Sequence, residues 1–181
     1  MTETNEFSWP RLLFDWVLEE TNIVVAGLTA CTILYTRSSA IIFFSTGAVV
    51  VSRIVKYAKR TIRQPRPLQR VNGKIKKSYG MPSTHSAVIS YYAAYTILSC
   101  VYLPIHPSLP NHSLTRVIPP ILMVPYAATI ATSRIWLGHH TILQVAVGCT
   151  IGIVFAPFWF MLWTRVGHDY GNALELTYLR T

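Results

Sequence analysis

Between Thr21 and His168 the sequence contains no aspartate or glutamate. The seven carboxylates, Glu3, Glu6, Asp15, Glu19, Glu20, Asp169 and Glu175, all lie toward the ends of the 181-residue chain. That gap excludes several chemistries from the middle of the protein. Magnesium, calcium and two-metal sites need carboxylate oxygens, and paired-carboxylate acid–base catalysis needs two such groups close together. Cysteine is also scarce. Cys31, Cys100 and Cys149 stand isolated in apolar runs, with neither disulfide nor zinc spacing. The first residues are acidic and lack a cleavable-signal pattern, so targeting is expected to come from the first membrane segment. Only 13% of residues are charged and 51% are hydrophobic, which suits a small, single-domain helical membrane protein better than a soluble domain.

What charge there is lies unevenly. The formal net charge is +9, and ten of the sixteen Lys/Arg fall between Arg53 and Lys77. Cations held near a bilayer without carboxylates need an anion from elsewhere, because a desolvated charge without a partner is costly. A phosphate-bearing substrate or anionic lipid head groups would supply it. The basic loop lacks the interleaved aromatics of single-strand binders, so no nucleic-acid partner is expected.

Periodicity divides the chain into helices. From Trp9, apolar residues at 12, 13, 16 and 17 form the stripe of an amphipathic helix, so residues 1–21 read as a polar N-terminus and an interfacial helix. Apolar runs at 21–36 and 40–52, the second extended to Lys59 by snorkelling basic side chains, read as a hairpin of two spans. Further spans are predicted over 86–104, 117–137 (with Pro119, Pro120 and Pro125 inside) and 141–163. The expected fold is an all-α integral membrane bundle of about five transmembrane spans, with the membrane-embedded domain over 22–163 and a polar tail over 164–181. Five crossings bring the basic loop, Pro82–His85 and Ser133–His140 to the same face.

Those three segments are the polar interruptions that carry chemistry. The first places Lys59 six residues clear of Arg66-Pro67. Arginine offers a planar fork to phosphate oxygens and lysine a point charge. The neighbouring Lys56, Arg60, Arg70, Lys74, Lys76 and Lys77 read more simply as a lipid-facing basic patch. The second is Pro82-Ser83-Thr84-His85, with Ser83 a good helix N-cap and the first-turn N–H groups suited to an anion. The third is Ser133-Arg134, five residues, His140, three residues, Gln144. His140 and Gln144, four apart, are expected to share a helix face. Gln144 then accepts from Nδ1–H and leaves Nε2 of His140 free. An arginine at such a position calls for an anion.

Together the blocks resemble the signatures of the type-2 phosphatidic acid phosphatase superfamily: K-x6-R-P, P-S-G-H and S-R-x5-H-x3-D, over roughly residues 55–150. The resemblance implies that Lys59, Arg66 and Arg134 bind phosphate oxygens, with Ser83 and the Thr84 amide beside them. It implies that His85 is the general acid and that His140, oriented by Gln144, is a nucleophile forming a phosphohistidine. No cofactor or metal is implied. Thr84 stands where the family has glycine, and Gln144 where it has aspartate. A neutral amide orients imidazole without charge-stabilising imidazolium, so weaker nucleophile activation is expected. The glutamine and the string Tyr79–Ser86 resemble the dolichyl diphosphatase branch, implying a polyprenyl diphosphate substrate and an active site facing the lumen of the endoplasmic reticulum. The positive-inside rule alone points the other way. Phosphatidate or sphingoid-base phosphate hydrolysis, and non-catalytic binding of anionic lipid, are the alternative readings.

Overall fold

The computed structural model describes residues 17, 21–67, 70, 71, 74, 75 and 78–179. The amphipathic helix expected before Thr21 falls outside the described residues, apart from helical Val17. Five long helices follow: α1 (Thr21–Thr36), α2 (Ser39–Ile62), α3 (Thr84–Tyr102), α4 (Ser113–Trp136) and α5 (Ile142–Leu162). The fold is all-α; the extended structure among the described residues is a small antiparallel hairpin, β1 (Arg70–Val71) with β2 (Lys74–Ile75), inside the basic loop.

Each boundary has a local cause. Arg37 leaves α1 with φ 51° and its N–H bonded to the Ile33 carbonyl. Arg63 ends α2 likewise, φ 54°, its N–H on the Lys59 carbonyl. Left-handed exits of this kind satisfy carbonyls that a helix end leaves open. Helix α4 runs unbroken through Pro119, Pro120 and Pro125.

Among the described residues, three helical stretches are long and apolar enough to cross a bilayer: Ser39–Ile62, Ser113–Trp136 and Ile142–Thr177. Their outer faces carry exposed Leu122, Val154 and Phe158, side chains that water would not tolerate in such density but lipid does. The chain is an integral membrane protein. Helix α1 has 16 residues, and the 19 of α3 are rich in tyrosine and serine.

Helix α3 is the central post, packed on α5, α4 and α2. Its approach to α5 is set by two glycines one turn apart. A Cβ on Gly148 would lie 2.5 Å from the Ser83 carbonyl oxygen, and one on Gly152 would collide with the Ala87 carbonyl. Small residues at this spacing let membrane helices come to backbone contact. The rest of the core is aromatic: Tyr91, Tyr92 and Tyr95 gather round Phe44, with Phe160 and Trp159 alongside. Two of these rings are satisfied by backbone: the Tyr91 hydroxyl donates to the Phe44 carbonyl (2.8 Å) and Trp159 Nε1 to that of Phe43 (3.0 Å).

The stretch read as a polar tail is helical. After α5 come a π-turn (Trp163–Gly167), α6 (His168–Leu174) and a second π-turn (Glu175–Leu179). Its glycines look like breakers, but Gly171 lies flat against the Trp163 ring where a side chain would not fit. The buried Glu175 carboxylate accepts from the Ser39 N–H and hydroxyl (2.7 Å each) and from the Ser38 hydroxyl (3.3 Å). The carboxylate thereby caps the start of α2, where N–H groups are otherwise open.

Candidate active site

Lys59 sits in the last turn of α2, buried, its Nζ 3.4 Å from the Tyr79 carbonyl. Past the helix end, the chain turns so that Arg66 faces back. Its guanidinium is fixed by four contacts: Nε to the Ser78 carbonyl (3.0 Å), Nη2 to the Ser78 hydroxyl (2.8 Å), and Nη1 to the His139 carbonyl (3.2 Å) and His140 Nε2 (3.4 Å). The basic loop is thereby tied to the α4–α5 turn.

That turn is organised by a single carbonyl. The N–H groups of His139 and His140 both bond to the Arg134 carbonyl (3.0 and 3.1 Å), which closes the end of α4. Gly138 makes this possible: its φ of 67° is a conformation that a residue with a Cβ adopts poorly. Arg134 itself is 3% exposed, with Nε 3.3 Å from the Ser133 hydroxyl.

His140 does not lie on the α5 helix face predicted for it. Thr141 is the N-cap of α5, so His140 precedes the helix, and it meets Gln144 across the capping turn. The expected contact is nonetheless present, Nδ1 to Oε1 at 3.2 Å. Gln144 is the third residue of the helix and completes a capping box: its Oε1 also accepts from the Thr141 N–H (3.3 Å), while the Thr141 hydroxyl accepts from the Gln144 N–H. Its Nε2 donates to Gln64 Oε1 (3.1 Å) and to the Pro65 carbonyl (3.0 Å).

Ser83 caps α3, its hydroxyl receiving Ser86 N–H and Ser86 Oγ–H, and its own N–H bonds to the Gln144 carbonyl at 3.0 Å. The starts of α3 and α5 are thus joined directly. Thr84 opens α3, and half-buried His85 follows it within electrostatic reach of Arg134, His140, Lys59 and His139. All eight residues singled out in the sequence therefore lie at one end of the bundle, on the four helices α2 to α5 and on the two loops that carry Arg66 and His140.

The charge in this cluster has one sign. Burial, then the neighbouring charges of Arg66 and Lys59, hold the His140 imidazole down to about 3, against the opposing hydrogen bonds that it makes to Gln144 Oε1 and to the Gly80 backbone. It is a neutral imidazole near neutral pH, with the cations around it arranged for an anion. Sequence reasoning passed over Gln64, Ser78 and Gly80. Ser78 and Gln64 look like ordinary loop polar residues, but Gly80 was signalled by the Tyr79–Ser86 string. A Cβ there would lie 2.5 Å from Gln144 Nε2. A cavity of about 830 Å³ lies at the other end, between α1, α3 and α4, and includes none of these eight residues.

Known proteins resemble this chain in sequence and in fold. The profile described as PAP2 superfamily matches residues 30–167. Lipid phosphate phosphatase gamma of Arabidopsis thaliana is 28% identical over 143 residues, 78% of this chain and 62% of its own length. Dolichyldiphosphatase 1 of Mus musculus is 29% identical over 145 residues, covering 77% and 59%. The chain thus spans about three fifths of the length of these curated relatives. Among solved structures, the transmembrane PAP2-type phosphatidylglycerolphosphate phosphatase from Bacillus subtilis superposes with a TM-score of 0.66 at 16% identity, covering 90% of this chain and 80% of that one.

Proposed function

The chain belongs to the PAP2 superfamily, and from that membership we propose that it is a membrane lipid phosphate phosphohydrolase whose substrate is a polyprenyl diphosphate of the dolichyl type. The observation that carries this reading is the position of His140 Nε2, 3.4 Å from Arg66 Nη1. The same imidazole is within electrostatic reach of His85. A nucleophile, a cationic clamp and a second histidine meet where a phosphate would sit.

In this reading Lys59, Arg66 and Arg134 take the non-bridging oxygens of the terminal phosphoryl group, with the Ser83 hydroxyl and the first-turn amide of Thr84 beside them. The His140 Nε2 lone pair forms a bond to phosphorus as the bond from phosphorus to the leaving oxygen breaks. His85, protonated against the charge of the bound substrate, gives its proton to that oxygen. Water then attacks the phosphohistidine. His85 takes the water's proton, and inorganic phosphate departs with His140 restored. Nothing in this sequence of steps requires a metal, and the middle of the chain supplies no carboxylate ligands for one.

The bundle would cross the membrane five times, with α1 and α3 as the two shorter crossings. The site would face the lumen of the endoplasmic reticulum, and a glycosylation tag in the basic loop tests that orientation. Substrate is tested with a panel of polyprenyl diphosphates, phosphatidate and sphingoid phosphates on the purified protein. Acid-labile phosphate trapped on the wild type and absent from His140→Ala is the expected result. His140→Ala that still turns over removes the nucleophile, and binding of anionic lipid without turnover removes the enzyme.

A further inference from the structure

The orientation of the Gln144 amide is determined by groups whose roles leave no choice. The Thr141 N–H can only donate, and it faces Oε1 at 3.3 Å. The Pro65 carbonyl can only accept, and it faces Nε2 at 3.0 Å. Turning the amide over would set donor against donor at one end and acceptor against acceptor at the other. Oε1 therefore faces His140, and the imidazole nitrogen 3.2 Å from it must carry the proton. That leaves the lone pair on Nε2, which points to Arg66.

Gln64 completes this arrangement. Its side-chain Oε1 takes the second proton of Gln144 Nε2 (3.1 Å), and its main-chain carbonyl receives the Gly80 N–H (2.7 Å). Gly80 in turn closes the remaining side of the amide, since any side chain there would strike Nε2. Gln64 lies two residues before Arg66, in the same short segment that brings the guanidinium to His140. One stretch of chain thus sets both the cation that meets Nε2 and the proton that stays away from it.

We propose that Gln64 is a positioning residue: with the direction of the Gln144 amide set by the Thr141 N–H and the Pro65 carbonyl, it takes the remaining Nε2 proton and holds that amide in place against His140, so that the Nε2 lone pair stays aimed into the cation cluster. Its catalytic consequence rests on the proposed phosphatase reading, but the tautomer of His140 does not. An aspartate at position 144 would need no such partner, because a carboxylate has no amide proton to satisfy. The glutamine does need one, and Gln64 supplies it.

The test separates the two. In full-length protein in detergent, labelled with ¹⁵N-histidine, His140 should show a protonated Nδ1 and an unprotonated Nε2. Gln64→Met keeps the length of the side chain and removes the acceptor. It should leave His140 in the wild-type tautomer and lower kcat about fivefold, the equivalent of about 1 kcal/mol for one hydrogen bond, with KM unchanged. Gln64→Glu restores an acceptor toward Nε2 and should recover most of the loss. A native His140 protonated on Nε2, a Gln64→Met protein with the wild-type kcat, or a Gln64→Glu protein as impaired as Gln64→Met would each overturn the proposal. Should Gln64→Met fail to fold, the native spectrum and the Gln64→Glu protein still decide. Absence of lipid phosphatase activity in the wild type would sink the function and leave the tautomer result standing.

Discussion

Replacing Gly148 by alanine tests whether the helix packing and the site are one construction. The new Cβ would lie 2.5 Å from the Ser83 carbonyl oxygen and 3.3 Å from the Ser83 nitrogen and Cβ. All three atoms belong to the N-cap of α3, so no flexible side chain can move aside. To restore ordinary contact at 3.4 Å the two backbones must part by about 0.9 Å. The hydrogen bond from Ser83 N–H to the Gln144 carbonyl, 3.0 Å at present, spans the same gap and would stretch with it. Overpacking of this kind costs about 1–3 kcal/mol, and the better helix propensity of alanine returns about 0.5–1 kcal/mol. The net loss of stability is modest. Ser83 and His85, however, would be displaced relative to His140 by close to 1 Å, and such a displacement costs roughly a hundredfold in rate. Phosphate release from a polyprenyl diphosphate, measured beside a thermal unfolding curve, should show that disproportion. Gly27→Ala is the control, since nothing lies within 4 Å of its Cβ and it should leave turnover as it is. Activity within threefold of wild type, or a loss no larger than the unfolded fraction explains, refutes the reasoning.

Acidification gives a second expectation. His140 is held down to about 3 in the folded protein, against about 6.5 when unfolded. Above about pH 6.5 neither state binds the proton; below it the unfolded state does and the folded state does not, so stability falls by about 1.4 kcal/mol per pH unit from this group until about pH 3. The drop in thermal midpoint between pH 6.5 and 5 should shrink in His140→Gln. Glu175→Ala, which strips the start of α2 of its acceptor, should lower stability by about 1–2 kcal/mol with KM unchanged, as read by melting and by steady-state rates. Gln144→Asp should slow turnover roughly tenfold, because it removes the donor that satisfies the Pro65 carbonyl and Gln64, a loss of about 1–3 kcal/mol. Faster hydrolysis would show that the charge missing beside His140 outweighs those bonds.

The helices and the polar end of the bundle were legible in the sequence for the same reason. In a chain this apolar, Lys59, Arg66, His85, Arg134 and His140 stand out because burying them is expensive without an anion, and the crossing count alone brings them to one face. The end of helix α1 at Thr36 was read to the residue, marked by the polar Arg37 that follows it. Gln64 was not legible, since a glutamine within a basic loop looks solvated until the Gln144 amide arrives from 80 residues away. The capping turn was misread as a shared helix face because spacing of four fits both. Residues 164–181 were read as a tail because polar residues there follow the apolar run, whereas the described part, 164–179, is helical and its Gly167 and Gly171 make room for the Trp163 ring.

The carboxylate that seals α2 comes from far along the chain. Ser39 is made well before the acceptor for its N–H, which is 136 residues away. Vectorial insertion therefore cannot finish in order: the second helix crosses with an open polar end, which closes only once the turns around Glu175 have emerged and folded back. The helix that presents Lys59 at one surface is anchored at the other by a segment made after every helix of the site, so a ribosome that stalls short of Glu175 leaves the clamp mounted on an unfastened rod.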